Sequence, residues 1–294
     1  METEPEALRA LAIAVRTYAL KNLGRHARDG YDFCNSTHCE RYLPFDSGSG
    51  SYVSPLVREA VDATRGQILQ DESNALADSY FSASCGGATA NLATLWGGNA
   101  PDYLRGVRDE YCESEAHSSW TDKISQAQLL KALQSDPRTN VGERVNNVSV
   151  VRKDATGRAE LIAIDGNRRV TIKGWDFKII VGRALGWNLL KSSRFEIARS
   201  GSNFMFHGSG FGHGLGLCQE GAHVMAERGA TYRQILAKYF PSTHVASSNG
   251  SSSAADLMWQ KAARQQGLKI ESPPLGFGQR DLPYGRASAS LTRL

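Results

Sequence analysis

Long apolar runs are missing from this chain. No stretch of about 18 apolar residues occurs, so no membrane span is expected. A secretory signal is also missing ahead of the first helix, and the chain reads as starting abruptly. Charge of one sign is missing too. The 34 basic and 30 acidic residues leave a formal net charge of +4, and no Lys/Arg run forms a stripe, which argues against a nucleic-acid partner. There is no G-x-x-x-x-G-K-[ST] loop and no βαβ unit around the glycine-rich run, so no nucleotide cofactor is expected. Cysteine is scarce and odd in number: the five, Cys34, Cys39, Cys85, Cys112 and Cys218, make a poor disulfide framework. No internal repeat is found. What is present is a chain of 294 residues, 41% of them hydrophobic, enough to bury a core in one or two domains.

Residues 5–24 read as a helix. Pro5 suits its first turn, Leu8, Leu11, Ala12, Val15 and Ala19 form one apolar stripe, and Gly24 is a stop. A second helix is expected from Pro55 to about Thr64, and a third over QAQLLKALQ. ALADSYFSASCGGAT reads as a strand entering a Gly-Gly turn. Residues 145–206 change character, with short β-rich runs separated by turn signals at 154–157 and 165–167, and read as a small antiparallel insertion. QEGAHVMAERG and TYRQILAKYFP read as the last helices, the latter framed by Thr231 and Pro241. The composition SSNGSSSAAD marks a flexible linker. The expectation is an α+β domain over 1–245 with its β-rich insertion, followed by a flexible linker and tail over 246–294.

The run HGSGFGHGLGLCQEGA at 207–222 places glycine at every second position from Gly208 to Gly216. If the run is extended, its glycines share one face, and another chain or a ligand can lie close to the bare backbone. Tight packing against a helix explains the same pattern.

GFGHGLGLCQEGAHVMAERGATYRQILAKYFPST resembles the terminal signature of the SpoIID/LytB family (stage II sporulation protein D and amidase-enhancer relatives). EALRALAIAVRTYAL resembles that family's opening helix. YFSASCGGATANLATLWGG with DYLRGVRDEYC resembles its middle segment, and TGRAELIAIDG its β insertion. The four matches lie in order over residues 5–243. The resemblance implies a SpoIID-like helical core and an extracytoplasmic cell-wall protein. Active members are lytic transglycosylases acting on peptidoglycan strands stripped of stem peptides; other relatives enhance a cell-wall amidase or bind glycan without cleaving it. Transglycosylation needs one carboxylic acid, unlike the paired-carboxylate hydrolases. The family's acid precedes the EAL motif by several residues. Here that motif begins at Glu6, so the acid is expected upstream of Met1 in a truncated start, with Glu2 and Glu4 as weak stand-ins. Charge at the helix N-terminus explains those two equally.

His26, Cys34, His38 and Cys39 are four zinc-capable ligands within fourteen residues and resemble the structural zinc set of some members of the family. A closed tetrahedral site, a Cys34–Cys39 disulfide and free thiols all remain open. Substrate contacts are expected from Arg16, Tyr80, Ser82, Ser84, Gly212, His213, Gly214 and Gln219, with a structural role for His213 set against that reading. Trp96, Trp120, Trp175 and Trp187 are candidate sugar platforms, though most are expected in the core. Cys85 and Cys112 are read as either a pair or buried thiols, Cys218 as a packing residue, and His117 as a remote base for Cys112.

Overall fold

The computed structural model describes residues 2–34, 36, 38–39 and 54–248. The elements in chain order are α1 (Pro5–Lys21), α2 (Pro55–Ala63), β1 (Gln67–Gln70), β2 (Phe81–Ser82), α3 (Leu92–Leu95), β3 (Trp120–Ser125), α4 (Gln126–Gln134), β4 (Val145–Lys153), β5 (Ala159–Gly166), β6 (Arg169–Lys173), α5 (Gly174–Leu185), β7 (Phe195–Ser200), β8 (Asn203–Gly208), β9 (Leu217–Cys218), α6 (Gln219–Glu227), α7 (Tyr232–Tyr239) and β10 (His244–Ser247). This is an α+β fold.

Each helix the sequence announced is present. α1 starts on Pro5 and buries Ala7, Leu8, Ala10, Ile13, Ala14, Thr17 and Tyr18. α4 and α7 open on reciprocal caps: Ser125 with Gln128, and Thr231 with Gln234, each side chain engaging the other's backbone N–H. α5 is an addition within the expected β insertion. Its FKIIV run has high β propensity, but Phe177, Ile180 and Val181 stand at helical spacing and are buried together.

Two apolar cores result. The β-rich one lies under the sheets β3-β8-β7 and β4-β5-β6, both antiparallel, and is filled by residues between Trp120 and Phe206, with Phe177, Phe195 and Phe206 in mutual contact. The helical one gathers α1, α6 and α7 with Leu69, Leu104, Cys85, Cys112 and Cys218. Inside it, the Thr17 hydroxyl receives the Leu69 N–H at 2.9 Å and donates to the Ile13 carbonyl. β1 pairs antiparallel with β10, so Ala246 and Ser247, expected in the linker, belong to a strand. From residue 249 onward the expected tail lies outside the described residues.

Two arginines of the β-rich half grip the loop after β2. Arg158, 2% exposed, donates to the carbonyls of Cys85 and Ala88, each at 2.8 Å. Arg194 donates to the Gly86 carbonyl, to Ser209 Oγ at 2.7 Å and to the Thr156 carbonyl at 3.0 Å.

Candidate functional site

The glycine run is not the extended strand expected from its alternation. β8 ends at Gly208 and β9 begins at Leu217. Between them Gly210, Gly212, Gly214 and Gly216 all have left-handed φ, from +66° to +102°. Alternating φ signs coil the chain instead of extending it, and only glycine takes those positions without strain. The close approach expected of the bare backbone is made by the protein's own chain. A Cβ at Gly216 would strike the Tyr80 carbonyl, one at Gly214 the Arg158 guanidinium, and one at Gly208 the Trp120 ring. The Trp120 indole N–H donates to the Gly210 carbonyl at 2.9 Å. β2 and β9 pair in parallel, and Ser84 exchanges backbone bonds with Phe211.

Coiling buries Leu215 and sets Phe211 and His213, both partly exposed, in two separate groups. His213 sits among three aromatic rings from three segments: Trp96 at 5.5 Å, Tyr80 at 6.3 Å and Trp175 at 6.5 Å between centroids. Tyr80 and Trp96 meet edge to face at 5.1 Å. His213 Nδ1 accepts the Leu215 N–H at 2.9 Å, which fixes the ring. Desolvation first, then the charges of Arg158 and Lys178, push its pKa down to about 4, so it is neutral at physiological pH. Lys178 stands over both Trp175 and Trp187, at 5.3 and 5.0 Å, and burial lowers its pKa to about 8. Trp96 is 40% exposed and Trp187 51%, whereas Trp120 is buried. Trp96 and Trp187 are thus the exposed members of the four candidate tryptophans, and Trp96 is the one beside the imidazole.

The second group is one that sequence reasoning missed. Phe211 stacks on His117 at 5.0 Å, and His117 Nδ1 hydrogen-bonds Glu220 Oε1. The second oxygen, Glu220 Oε2, is buried without a hydrogen-bond partner. α6 holds Glu220 in its first turn, where the Glu220 N–H is bound by the Ala83 carbonyl. The signal was available: Glu220 lies inside the quoted run, one residue after Gln219, but its partner is 103 positions away.

Other expected contacts fall elsewhere. Arg16 bonds the Thr64 and Gln67 carbonyls, both at 2.9 Å, and ties α1 to the turn after α2. Ser82 and Ser84 are buried, with hydroxyl oxygens lacking partners. Gln219 opens α6 and is partly buried. Gly212 donates its N–H to the Lys191 carbonyl, and Gly214 accepts from the Ala90 N–H. Glu2 accepts from the Thr3 and Glu4 N–H groups at 2.7 Å and pairs with His223 at 2.9 Å. Glu6 receives the Tyr232 N–H at 2.6 Å and pairs with Arg9. Both carboxylates are thus committed to holding the chain start against α6 and α7. An open cleft of about 460 Å³ lies beside the start of the glycine run, between Trp120, Lys153, Arg194 and His207.

The four metal-capable residues converge. Ligand atoms of His26, Cys34, His38 and Cys39 all lie within 4.8 Å of one another. His26 Nε2 is 3.3 Å from Cys39 Sγ, and His38 Nδ1 is 3.6 and 3.7 Å from the two sulfurs. The Ser36 hydroxyl, helped by His38, holds the Cys34 thiol down at about 5, while burial raises Cys39. A low thiol pKa supplies the thiolate that binds metal. Two imidazoles and two sulfurs within this radius fit a closed tetrahedral dication site.

Residues 1–70 match the family described as stage II sporulation protein, and residues 111–216 match a domain of unknown function. The chain is similar to an uncharacterized protein of Brachyspira hyodysenteriae, 32% identical over 80% of this chain and 60% of that protein. It is 28% identical to the stage II sporulation protein D of Bacillus subtilis, over 82% of this chain and 69% of the relative. It is also 23% identical to the amidase enhancer of Bacillus subtilis, over 82% of this chain and 38% of the relative. The chain thus spans about three fifths of the length of the Brachyspira relative.

Proposed function

The chain belongs to the SpoIID/LytB family, and on that premise we propose that it acts outside the cytoplasm on the glycan strands of peptidoglycan, cleaving them without water. The observation that supports this reading is the aromatic group around His213. Trp96, 40% exposed, and the partly buried Tyr80 offer apolar ring surface on which pyranose rings stack, and the His213 imidazole beside them helps to fix their positions.

In the proposed reaction a carboxylic acid protonates the oxygen leaving C1 of N-acetylmuramic acid. The C1–O bond breaks, and the C6 hydroxyl oxygen bonds to C1. Its proton returns to the carboxylate, leaving a 1,6-anhydro end and an unchanged protein. Among the described residues Glu220 is the carboxyl on the signature with a proton-handling partner, His117, and with an oxygen not committed to another bond. His26, Cys34, His38 and Cys39 would hold one zinc ion that contributes folding free energy and no chemistry.

Digestion of stem-free glycan strands, read by mass spectrometry, tests the proposal. Anhydro-ended fragments are expected, with at least a hundredfold loss in Glu220→Gln. A second reading, enhancement of a cell-wall amidase without cleavage, is favoured by the commitment of Glu2 and Glu6 to structural pairs. Strand binding and amidase stimulation with no anhydro product would select it.

A further inference from the structure

The helical core contains a polar knot that neither reading uses. Cys85, Asp109, Cys112 and Cys218 are each 0% exposed. One ligand atom from each lies within 4.8 Å of the other three. Cys85 Sγ is 3.3 Å from Cys112 Sγ and donates to Asp109 Oδ2 at 3.1 Å. The residues come from three segments: the loop after β2, the loop before β3, and the residue that caps α6. We propose that these four residues form a second metal site, buried and closed, that takes one thiophilic dication of the zinc class.

Geometry supplies the first argument. Zinc–sulfur bonds of about 2.3 Å at tetrahedral angles set sulfurs about 3.8 Å apart. The Cys85–Cys112 separation of 3.3 Å is tighter than that, and the four ligand atoms all lie within 4.8 Å of one another, so a small outward movement of these two side chains admits the ion. Three sulfurs and one carboxylate complete four-coordination and leave no open position. The site is therefore structural.

The surroundings supply the second argument. Peptide N–H groups point at the sulfurs: Cys85 N–H to Cys218 Sγ at 3.2 Å, Gly87 N–H to Cys112 Sγ at 3.1 Å, and Gly221 N–H to Cys218 Sγ at 3.4 Å. Such bonds stabilise thiolates and orient metal ligands. Gly86 and Gly87, with φ of +72° and +104°, make the reversal that aims Gly87 at Cys112. Asp109 is oriented by the Tyr239 hydroxyl at 2.9 Å and the Tyr111 N–H at 3.2 Å. A Cβ at Gly221 would strike both Tyr239 and Asp109, so a small residue keeps the carboxylate in place.

Charge supplies the third. Among the described residues no Lys, Arg or His makes an ion pair or hydrogen bond with Asp109. The buried Arg158 lies near Cys85 and Cys218 and bonds the Cys85 carbonyl, but one cation leaves a carboxylate with several thiolates only partly balanced, and a dication completes the balance. A Cys85–Cys112 disulfide would leave Cys218, with its two N–H donors, and Asp109 without a purpose.

The test uses the full chain purified under reducing conditions and refolded anaerobically with zinc chloride or cobalt(II) chloride as probe. Two metal equivalents per chain are expected, one readily removed by chelator from the half-buried His26 cluster and one released only on unfolding. Cys34→Ser/Cys39→Ser should retain the resistant equivalent, and its cobalt form should show the intense visible bands of a tetrahedral thiolate site. Thiol titration after denaturation with chelator should return three thiols in that variant, from Cys85, Cys112 and Cys218, and five in the wild type. If the double variant fails to fold, the wild-type chelation kinetics and thiol count still decide. A single removable equivalent, no cobalt–thiolate absorption after the first cluster is stripped, or one free thiol with a disulfide would each overturn the proposal. None of these outcomes depends on whether glycan is cleaved.

Discussion

Arg158 Nη2 lies 2.8 Å from the carbonyl oxygen of Cys85, and Nη1 at the same distance from that of Ala88. A buried cation thus binds backbone dipoles of the other half of the domain, and burial lowers its pKa to about 10. Arg158→Met should strand both carbonyls and cost about 2–4 kcal/mol, read from urea unfolding. Lysine should not rescue it, since an ammonium cannot span two carbonyls as a planar guanidinium does. Gly214→Ala should cost a similar amount, because its Cβ would meet the same guanidinium at φ +76°. Gly98→Ala, with φ +81° and open space around it, should cost only about 1 kcal/mol.

Trp96→Ala should weaken binding to stem-free glycan strands roughly 5- to 30-fold, the worth of one stacked ring, with the melting temperature nearly unchanged. Trp120→Ala should do the reverse. That ring is 9% exposed and its N–H is bound to Gly210, so its loss should lower stability by about 3–5 kcal/mol. Isothermal titration and thermal melts of both variants separate the two roles; equal effects on binding would remove Trp96 from the site.

His213 carries a pH signature. Its folded pKa of about 4 lies below the unfolded value near 6.5, so only the unfolded chain takes up a proton between those values. Stability should therefore be unaffected above pH 6.5 and fall by up to about 3 kcal/mol as pH drops to 4. His213→Gln should flatten that window. Removing the Lys178 charge by Lys178→Met should raise the His213 pKa, measurable by NMR titration.

Cys39→Ser should lower the melting temperature by several degrees and abolish the chelator-sensitive metal equivalent. An unchanged melting temperature in excess chelator would instead favour free thiols at the His26 cluster.

Much of the fold was legible because local signals carried it. Pro5 at the start of α1 and the Thr231 cap are properties of neighbouring residues. The buried face of α1 was misplaced: Ala7, Ala10, Ile13, Ala14, Thr17 and Tyr18 join Leu8 in the core, while Leu11, Ala12, Val15 and Ala19 are only partly buried. The strands β1 and β10 were not legible, since four residues each become a strand only through pairing 180 positions apart, Gln67 with Ser247. The glycine run was half legible. Its alternation announced close approach, but the same alternation fits coiled backbone as well as extended, and only the fold chooses. The His117–Glu220 pair and the Cys85 knot needed contacts across more than 100 positions and left no periodic trace.

The two cores also differ in how they can be made during synthesis. Every residue filling the β-rich core lies between 120 and 206, one continuous stretch that can close as soon as it has left the ribosome. The helical core joins Ala7 to Phe240. α1 must wait for α6 and α7, about 200 residues later, or roughly 10–40 s at ordinary elongation rates. Through that interval its apolar face can meet only the earlier partners α2, β1 and Tyr80. Burial of α1 is thus completed long after the helix itself has been made, whereas the β-rich core closes from one continuous stretch.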